Sequence, residues 1–272
     1  MPIYPSMYGR GPVVLTFLEE QRILVACGSA GTEDKSCFQL SPYRPWAGWE
    51  EMPNLVNRHC PYLDSTRGIN IPDLGWLVMG QENGRCNHYT DAAISSELLT
   101  SQQLQWIQTP IESPYTNAGF PFRTCSVAIN SSTVITTGGW NGDYLSSTWM
   151  LDLTDYTWTE LQSMPGPVGS HGCTVTSSGE LIIAGGTGTS VYIYNLMNNT
   201  WRQTIELPDE ISYWVYPVMF LWNEHPIILE NRSSNIWILM EDGWQKMEAT
   251  LGAVFDGELN AATTVPAGLF EC

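Results

Sequence analysis

Five tryptophans recur along the chain, Trp49, Trp106, Trp158, Trp201 and Trp244, separated by 57, 52, 43 and 43 residues. Ahead of each runs a short apolar segment closed by glycine or a stand-in: ILVACG ending at Gly28, WLVMG at Gly80, TVITTGG at Gly139, LIIAGG at Gly186 and PIILE at Glu230. The fourth copy is the clearest. An apolar strand (Cys173 to Thr176) meets a Ser-Ser-Gly turn, and a second apolar strand ends in Gly185-Gly186. An alternating strand (Val191 to Tyr194) then leads through a polar turn to Trp201, which opens a fourth strand. Four short strands separated by turn signals describe one antiparallel sheet. One such sheet cannot cover both of its own faces, and a chain that repeats the pattern covers each sheet with the next.

The distance from glycine to tryptophan varies, with 21 residues in the first copy and 15 in the fourth, so the strands are kept while one loop changes length. An apolar residue followed by proline ends three copies, Met52-Pro53, Met164-Pro165 and Leu207-Pro208. A strand ending in Gly138-Gly139 or Gly185-Gly186, then an aromatic strand, a tryptophan and a Met-Pro exit, resembles the kelch repeat, one blade of a β-propeller. The resemblance implies an all-β chain forming a single propeller domain over 1–272. Its blades are expected at about 11–53, 58–110, 122–165, 169–208 and 213–249, with a C-terminal half-blade at 258–272. A six-bladed ring is the expected closure, and a five-bladed ring with an extra hairpin is the alternative. Each repeated part of the pattern also has a physical reason. Glycine supplies backbone conformations that other residues avoid, and tryptophan fills the space between neighbouring sheets with one large side chain.

Charge narrows the partners. Eleven basic against 28 acidic residues give a net charge of −17, the opposite of the basic stripe that nucleic acid requires, and this favours a neutral or basic partner or simply keeps a lightly charged protein soluble. No apolar run is long enough to span a membrane as a helix. MPIYPSMYGR at the start lacks the apolar core of a secretory signal, which fits a cytoplasmic chain or one whose signal lies outside this sequence. Three acceptor sequences for N-glycosylation, at Asn130, Asn198 and Asn231, fall in predicted turns. They tilt the expectation toward an extracellular, glycosylated protein.

Seven cysteines leave at least one thiol unpaired. Cys27 ends one predicted strand and Cys37 begins the next, so they either bridge across a hairpin or lie as two small buried thiols. Cys60, Cys125 and Cys173 each stand two residues after Arg58, Arg123 and His171. Read as equivalent positions at the start of the innermost strand, they are expected to be small buried hydrophobes, too far apart on adjacent blades to pair.

Catalytic chemistry is sparse. The four histidines have no metal-ligand spacing, no nucleophile elbow or phosphate loop occurs, and the glycine doublets end strands instead of opening helices. No catalytic residue, metal site or cofactor is expected. Residues standing just ahead of first strands, Arg10, Arg58, Arg123 and His171, are expected to ring one mouth of the propeller. The loops between second and third strands reach the same mouth, with Trp140, Asn141, Asp143 and Tyr144 in one copy and Glu82 and Arg85 in another. Kelch propellers that serve as substrate adaptors bind peptides at this face, and the resemblance carries that role to Arg10, Arg58 and Arg123; the other reading is that these arginines cap neighbouring backbone carbonyls and hold blade to blade. It implies a non-enzymatic module for a partner protein, peptide or glycan. The other class is a carbohydrate-active enzyme on a kelch-like propeller, of oxidase or sugar-isomerase type, although the oxidase's paired Tyr and His copper ligands have no counterpart in this sequence.

Overall fold

The structure is a computed structural model that describes residues 14–28, 35–57, 66–81, 94–115, 120–209, 211, 217–230 and 235–248. Among these there are twenty strands, one 3-10 turn at Pro45–Ala47 and no α-helix. The strands form five four-stranded sheets, each an antiparallel meander in chain order. The first holds β1 (Val14–Leu18), β2 (Ile23–Cys27), β3 (Cys37–Leu40) and β4 (Glu50–Met52). The second holds β5 (Thr66–Ile71), β6 (Gly75–Gln81), β7 (Ile94–Thr100) and β8 (Trp106–Gln108). The third holds β9 (Cys125–Asn130), β10 (Thr133–Thr137), β11 (Thr148–Asp152) and β12 (Thr157–Glu160). The fourth holds β13 (Gly172–Val175), β14 (Glu180–Ala184), β15 (Val191–Asn195) and β16 (Thr200–Gln203). The fifth holds β17 (Val218–Trp222), β18 (His225–Leu229), β19 (Ile236–Met240) and β20 (Gly243–Lys246). The half-blade expected at 258–272 lies outside the described residues.

The described residues fall into two compact units, one up to Phe120 and one from Pro121 onward. In the first unit β1 packs beside β5, and in the second β13 packs beside both β9 and β17. The first strand of each sheet is thus the one that meets its neighbours most closely.

Alternation along the strands builds the cores. In the fourth sheet Leu181, Ile183, Tyr192 and Tyr194 pack toward the third sheet with Ile135, Met164 and Val168. Their neighbours Ile182, Ala184, Val191 and Ile193 pack the other way, with Met219, Ile228, Trp237 and Trp244 of the fifth sheet. Successive side chains of a strand point to opposite faces, so one apolar strand pair serves two interfaces. In the first unit Val14, Val25 and Cys27 meet Trp76, Val78, Leu99 and Trp106 in the same manner.

Two of the repeated tryptophans tie sheets together as well as filling space. Trp106 packs against Trp76 with ring centroids 5.7 Å apart, and its indole N–H donates to the Pro53 carbonyl at 3.0 Å. Trp201 packs on Tyr194 at 4.8 Å and donates to the Gln162 carbonyl at 2.8 Å. Both acceptors belong to the exit of the preceding sheet. Trp49 instead joins Phe17, Leu24 and Leu40 within its own sheet.

The glycine doublets are required by close approach. Gly139 and Gly186 have φ of 105° and 85°. A Cβ at Gly139 would stand 2.6 Å from the Phe122 carbonyl oxygen, and one at Gly186 would stand 2.2 Å from that of Gly169. Gly80 differs, since β6 runs past it to Gln81. Glu230, the stand-in of the fifth copy, is buried and keeps the hydrogen bond of the position. Its N–H donates to the Asn235 carbonyl at 3.1 Å, as Gly28 donates to Ser36 and Gly138 to Ser147.

Cys27 and Cys37 face each other across β2 and β3 and are disulfide-bonded. Cys125 and Cys173 overturn the expectation placed on them. They form a second disulfide, with Cα atoms 6.0 Å apart, inside the range that a disulfide spans. The reason is register. Cys125 pairs with Thr137 next to Gly138, whereas Gly172, not Cys173, pairs with Ala184 next to Gly185. The two cysteines are offset by one residue, so they point from opposite faces of successive sheets into the same gap.

Candidate functional site

Of the expected site residues that lie within the described chain, Arg123, Trp140, Asn141, Asp143 and Tyr144 gather in the second unit, at the entrance to the third sheet. Arg123 precedes β9 with φ of 60°, a left-handed conformation uncommon for a residue other than glycine. Its carbonyl accepts the Ser170 N–H at 2.9 Å, which joins the entrances of the third and fourth sheets through the backbone. Its guanidinium donates to the Tyr144 hydroxyl at 3.3 Å and lies 6.0 Å from the centroid of the Trp140 ring. A cation at that distance from an indole is attracted by the negative face of the ring.

Trp140 and Tyr144 are held by the loop between β10 and β11. Trp140 and Phe122 exchange two backbone hydrogen bonds of 2.7 and 3.0 Å, and Leu145 N–H returns to the Gly139 carbonyl at 2.9 Å. The Tyr144 ring lies over Gly169, where a Cβ would approach it to 2.8 Å. Asn141 and Asp143 close the tip through a 3.2 Å backbone bond. Asp143 is exposed, and Arg123, Trp140, Asn141 and Tyr144 are half-buried. The result is a guanidinium flanked by two anchored aromatic rings, on a loop stiffened by its own backbone bonds. Arginine, tryptophan and tyrosine are the residue types that dominate binding hot spots.

His171 does not join this cluster. It is buried, and its Nε2 lies 2.8 Å from the Thr137 hydroxyl, inside the gap between the third and fourth sheets. Strand register places Ser170, not His171, at the position of Arg123, and Ser170 shares the left-handed backbone with φ of 61°. Arg10, Arg58, Glu82 and Arg85 lie outside the described residues, as does Asn231. Asn130, at the end of β9, and Asn198, on the turn from β15 to β16, are exposed.

The third sheet with its entrance is also where the chain meets a known family. A model of the kelch motif matches residues 121–165, a span that begins just ahead of Arg123 and ends at the Met164-Pro165 exit. The other four sheets repeat its four-stranded meander. Residues 121–165 are thus similar to a kelch motif, and the five four-stranded sheets fit a kelch-type propeller fold. No curated protein matches the sequence.

Sequence reasoning missed two residues that build the site: Ser170, whose N–H makes the entrance bond, and Gly169, which makes room for Tyr144. Counting from the glycine doublets finds Ser170, because Arg123 and Ser170 each stand fifteen residues ahead of Gly138 and Gly185. Among the described residues no group of three or more His, Cys, Asp or Glu side chains is placed to hold a metal ion. No helix there is long and apolar enough to cross a membrane. In the first unit an open cleft lies between the β1–β2 and β5–β6 turns of the first two sheets, and none of the expected site residues lines it.

Proposed function

We propose that this chain is a non-enzymatic interaction module that holds a partner protein, peptide or glycan at the face built by Arg123, Trp140 and Tyr144. The observation that carries the reading is the Arg123 guanidinium held by the Tyr144 hydroxyl and the Trp140 ring. An anchored cation with planar donors suits a carboxylate or carbonyl group of the partner, and the flanking rings offer apolar area that costs little ordering on binding. Asn141 and Asp143 at the tip of the same loop add polar contacts. On this reading Arg10, Arg58, Glu82 and Arg85 extend the face from other blades, the chain is one six-bladed propeller over 1–272, and the protein works outside the cell, where its disulfides persist.

The test is selection of displayed random peptides on the immobilised chain, followed by affinity measurement on the wild type, Arg123→Ala and Arg123→Lys. The expected result is about tenfold weaker binding for Arg123→Ala, or about 1.4 kcal/mol, with incomplete recovery in Arg123→Lys because lysine lacks the planar fork. Equal affinity in all three proteins removes Arg123 from the site. Early unfolding of Arg123→Ala assigns the arginine to holding the sheets.

A further inference from the structure

Two of the acceptor sequences lie on described turns and are built alike. Asn130 ends β9, and its Oδ1 accepts the Ser132 N–H at 2.8 Å and the Ser132 hydroxyl at 3.1 Å. Asn198 sits in the turn from β15 to β16, and its Oδ1 accepts the Thr200 hydroxyl at 3.3 Å. In both, the hydroxyl two residues on engages the carboxamide oxygen, and among the described residues neither Nδ2 donates a hydrogen bond. Both asparagines are exposed, so a substituent on Nδ2 displaces no packing. Beside Asn198, Met197 is 96% exposed, an apolar side chain that nothing in the folded chain covers.

The disulfides supply the independent half of the argument. Cys27–Cys37 and Cys125–Cys173 persist in an oxidising compartment, which is also where an Asn-x-Ser/Thr sequence receives a glycan. In each meander the turns joining first to second and third to fourth strands lie at one end of the sheet, and the connection from second to third strand lies at the other. Both acceptor turns are of the former kind, whereas Trp140 and Tyr144 belong to the latter.

We infer that Asn130 and Asn198 are N-glycosylated, each at the end of its sheet away from the second-to-third-strand loop, and that the Asn198 glycan covers Met197. The donor is an oligosaccharide linked through its anomeric carbon to a lipid pyrophosphate. The Nδ2–C1 bond forms, the C1–O bond to the pyrophosphate breaks, the lipid pyrophosphate leaves with the bonding pair, and one amide proton passes to base. No oxidation state changes. This inference does not depend on what binds at Arg123.

The experiment secretes the full chain from a eukaryotic host and maps glycosylation by enzymatic release, which leaves aspartate at each formerly glycosylated asparagine. The expected result is aspartate at positions 130 and 198, with one glycan lost in Asn130→Gln and one in Asn198→Gln. Ser132→Ala and Thr200→Ala keep the asparagines and are expected to lose the same glycans. Unmodified Asn130 and Asn198 in the secreted, disulfide-bonded protein overturn the inference, and so does modification confined to Asn231. Mapping on the wild-type protein decides the matter even where a variant is not secreted.

Discussion

Cys125 and Cys173 join two neighbouring sheets although they hold non-equivalent places in them, one opposite Thr137 and the other opposite Ile183. The bridge closes 48 residues of chain, against 10 for Cys27–Cys37. The chain-entropy relation gives about 4 kcal/mol for the longer loop and about 2.5 kcal/mol for the shorter. The double variant Cys125→Ser, Cys173→Ser is therefore expected to lose more stability to urea than Cys27→Ser, Cys37→Ser, as read by tryptophan fluorescence. Equal losses would show that loop length does not govern the effect.

Gly186 and Gly179 share a left-handed backbone, with φ of 85° and 79°, but differ in surroundings. A Cβ at Gly186 meets the Gly169 carbonyl at 2.2 Å, and one at Gly179 meets nothing within 4 Å. Gly179→Ala is expected to cost about 1 kcal/mol from the backbone alone, and Gly186→Ala about 3 kcal/mol or more because sheet and entrance must part. Thermal melts of the two variants check the difference, which vanishes if crowding plays no part.

Glu97 is fully buried, and its two carboxylate oxygens each take a backbone N–H from the link out of the first sheet, Val56 at 2.5 Å and Asn57 at 2.7 Å. A carboxamide offers one oxygen and one donor, so Glu97→Gln turns an N–H donor against one of these groups. The expected cost is about 2 kcal/mol, accompanied by faster amide hydrogen exchange at Val56 and Asn57. Unchanged exchange at both amides would overturn the clamp.

Tyr194 has its phenol pushed above the ordinary value of 10.0 by burial, and it donates to Asn199 Oδ1 at 2.6 Å. A raised folded value means that the proton is held more tightly in the folded chain. Its stabilising contribution is complete below pH 10 and is lost as pH rises through the folded value. Alkaline denaturation is therefore expected to flatten in Tyr194→Phe relative to the wild type. At the acid end Asp152 behaves oppositely. The Thr154 hydroxyl and then its amide hold the carboxyl below 3.8, so its contribution is present above that value and fades as pH falls through the folded one.

The strands were legible because alternation and glycine act locally. LIIAGG and its relatives announce a strand that stops where a side chain would strike a carbonyl, and Trp106 and Trp201 mark the outer strands to within a residue. The meeting of Arg123 with the Trp140–Tyr144 loop was also readable, since both follow from which end of a meander each connection occupies. The Cys125–Cys173 bridge was not. Aligning the copies on their cysteines shifts the fourth by one residue, and one residue reverses the face to which a side chain points. Glu97 escaped for another reason. Its partners are backbone amides some forty residues away, and no side-chain pattern records them.

The indole bonds of Trp106 and Trp201 run in the same direction along the chain. Trp106 and Trp201 each reach back, by 53 and 39 residues, to carbonyls of the sheet made before their own. During synthesis the acceptor therefore leaves the ribosome ahead of the donor, and each new sheet meets a finished surface when its outer strand emerges. At these two joints the later sheet is suited to closing on the one made before it.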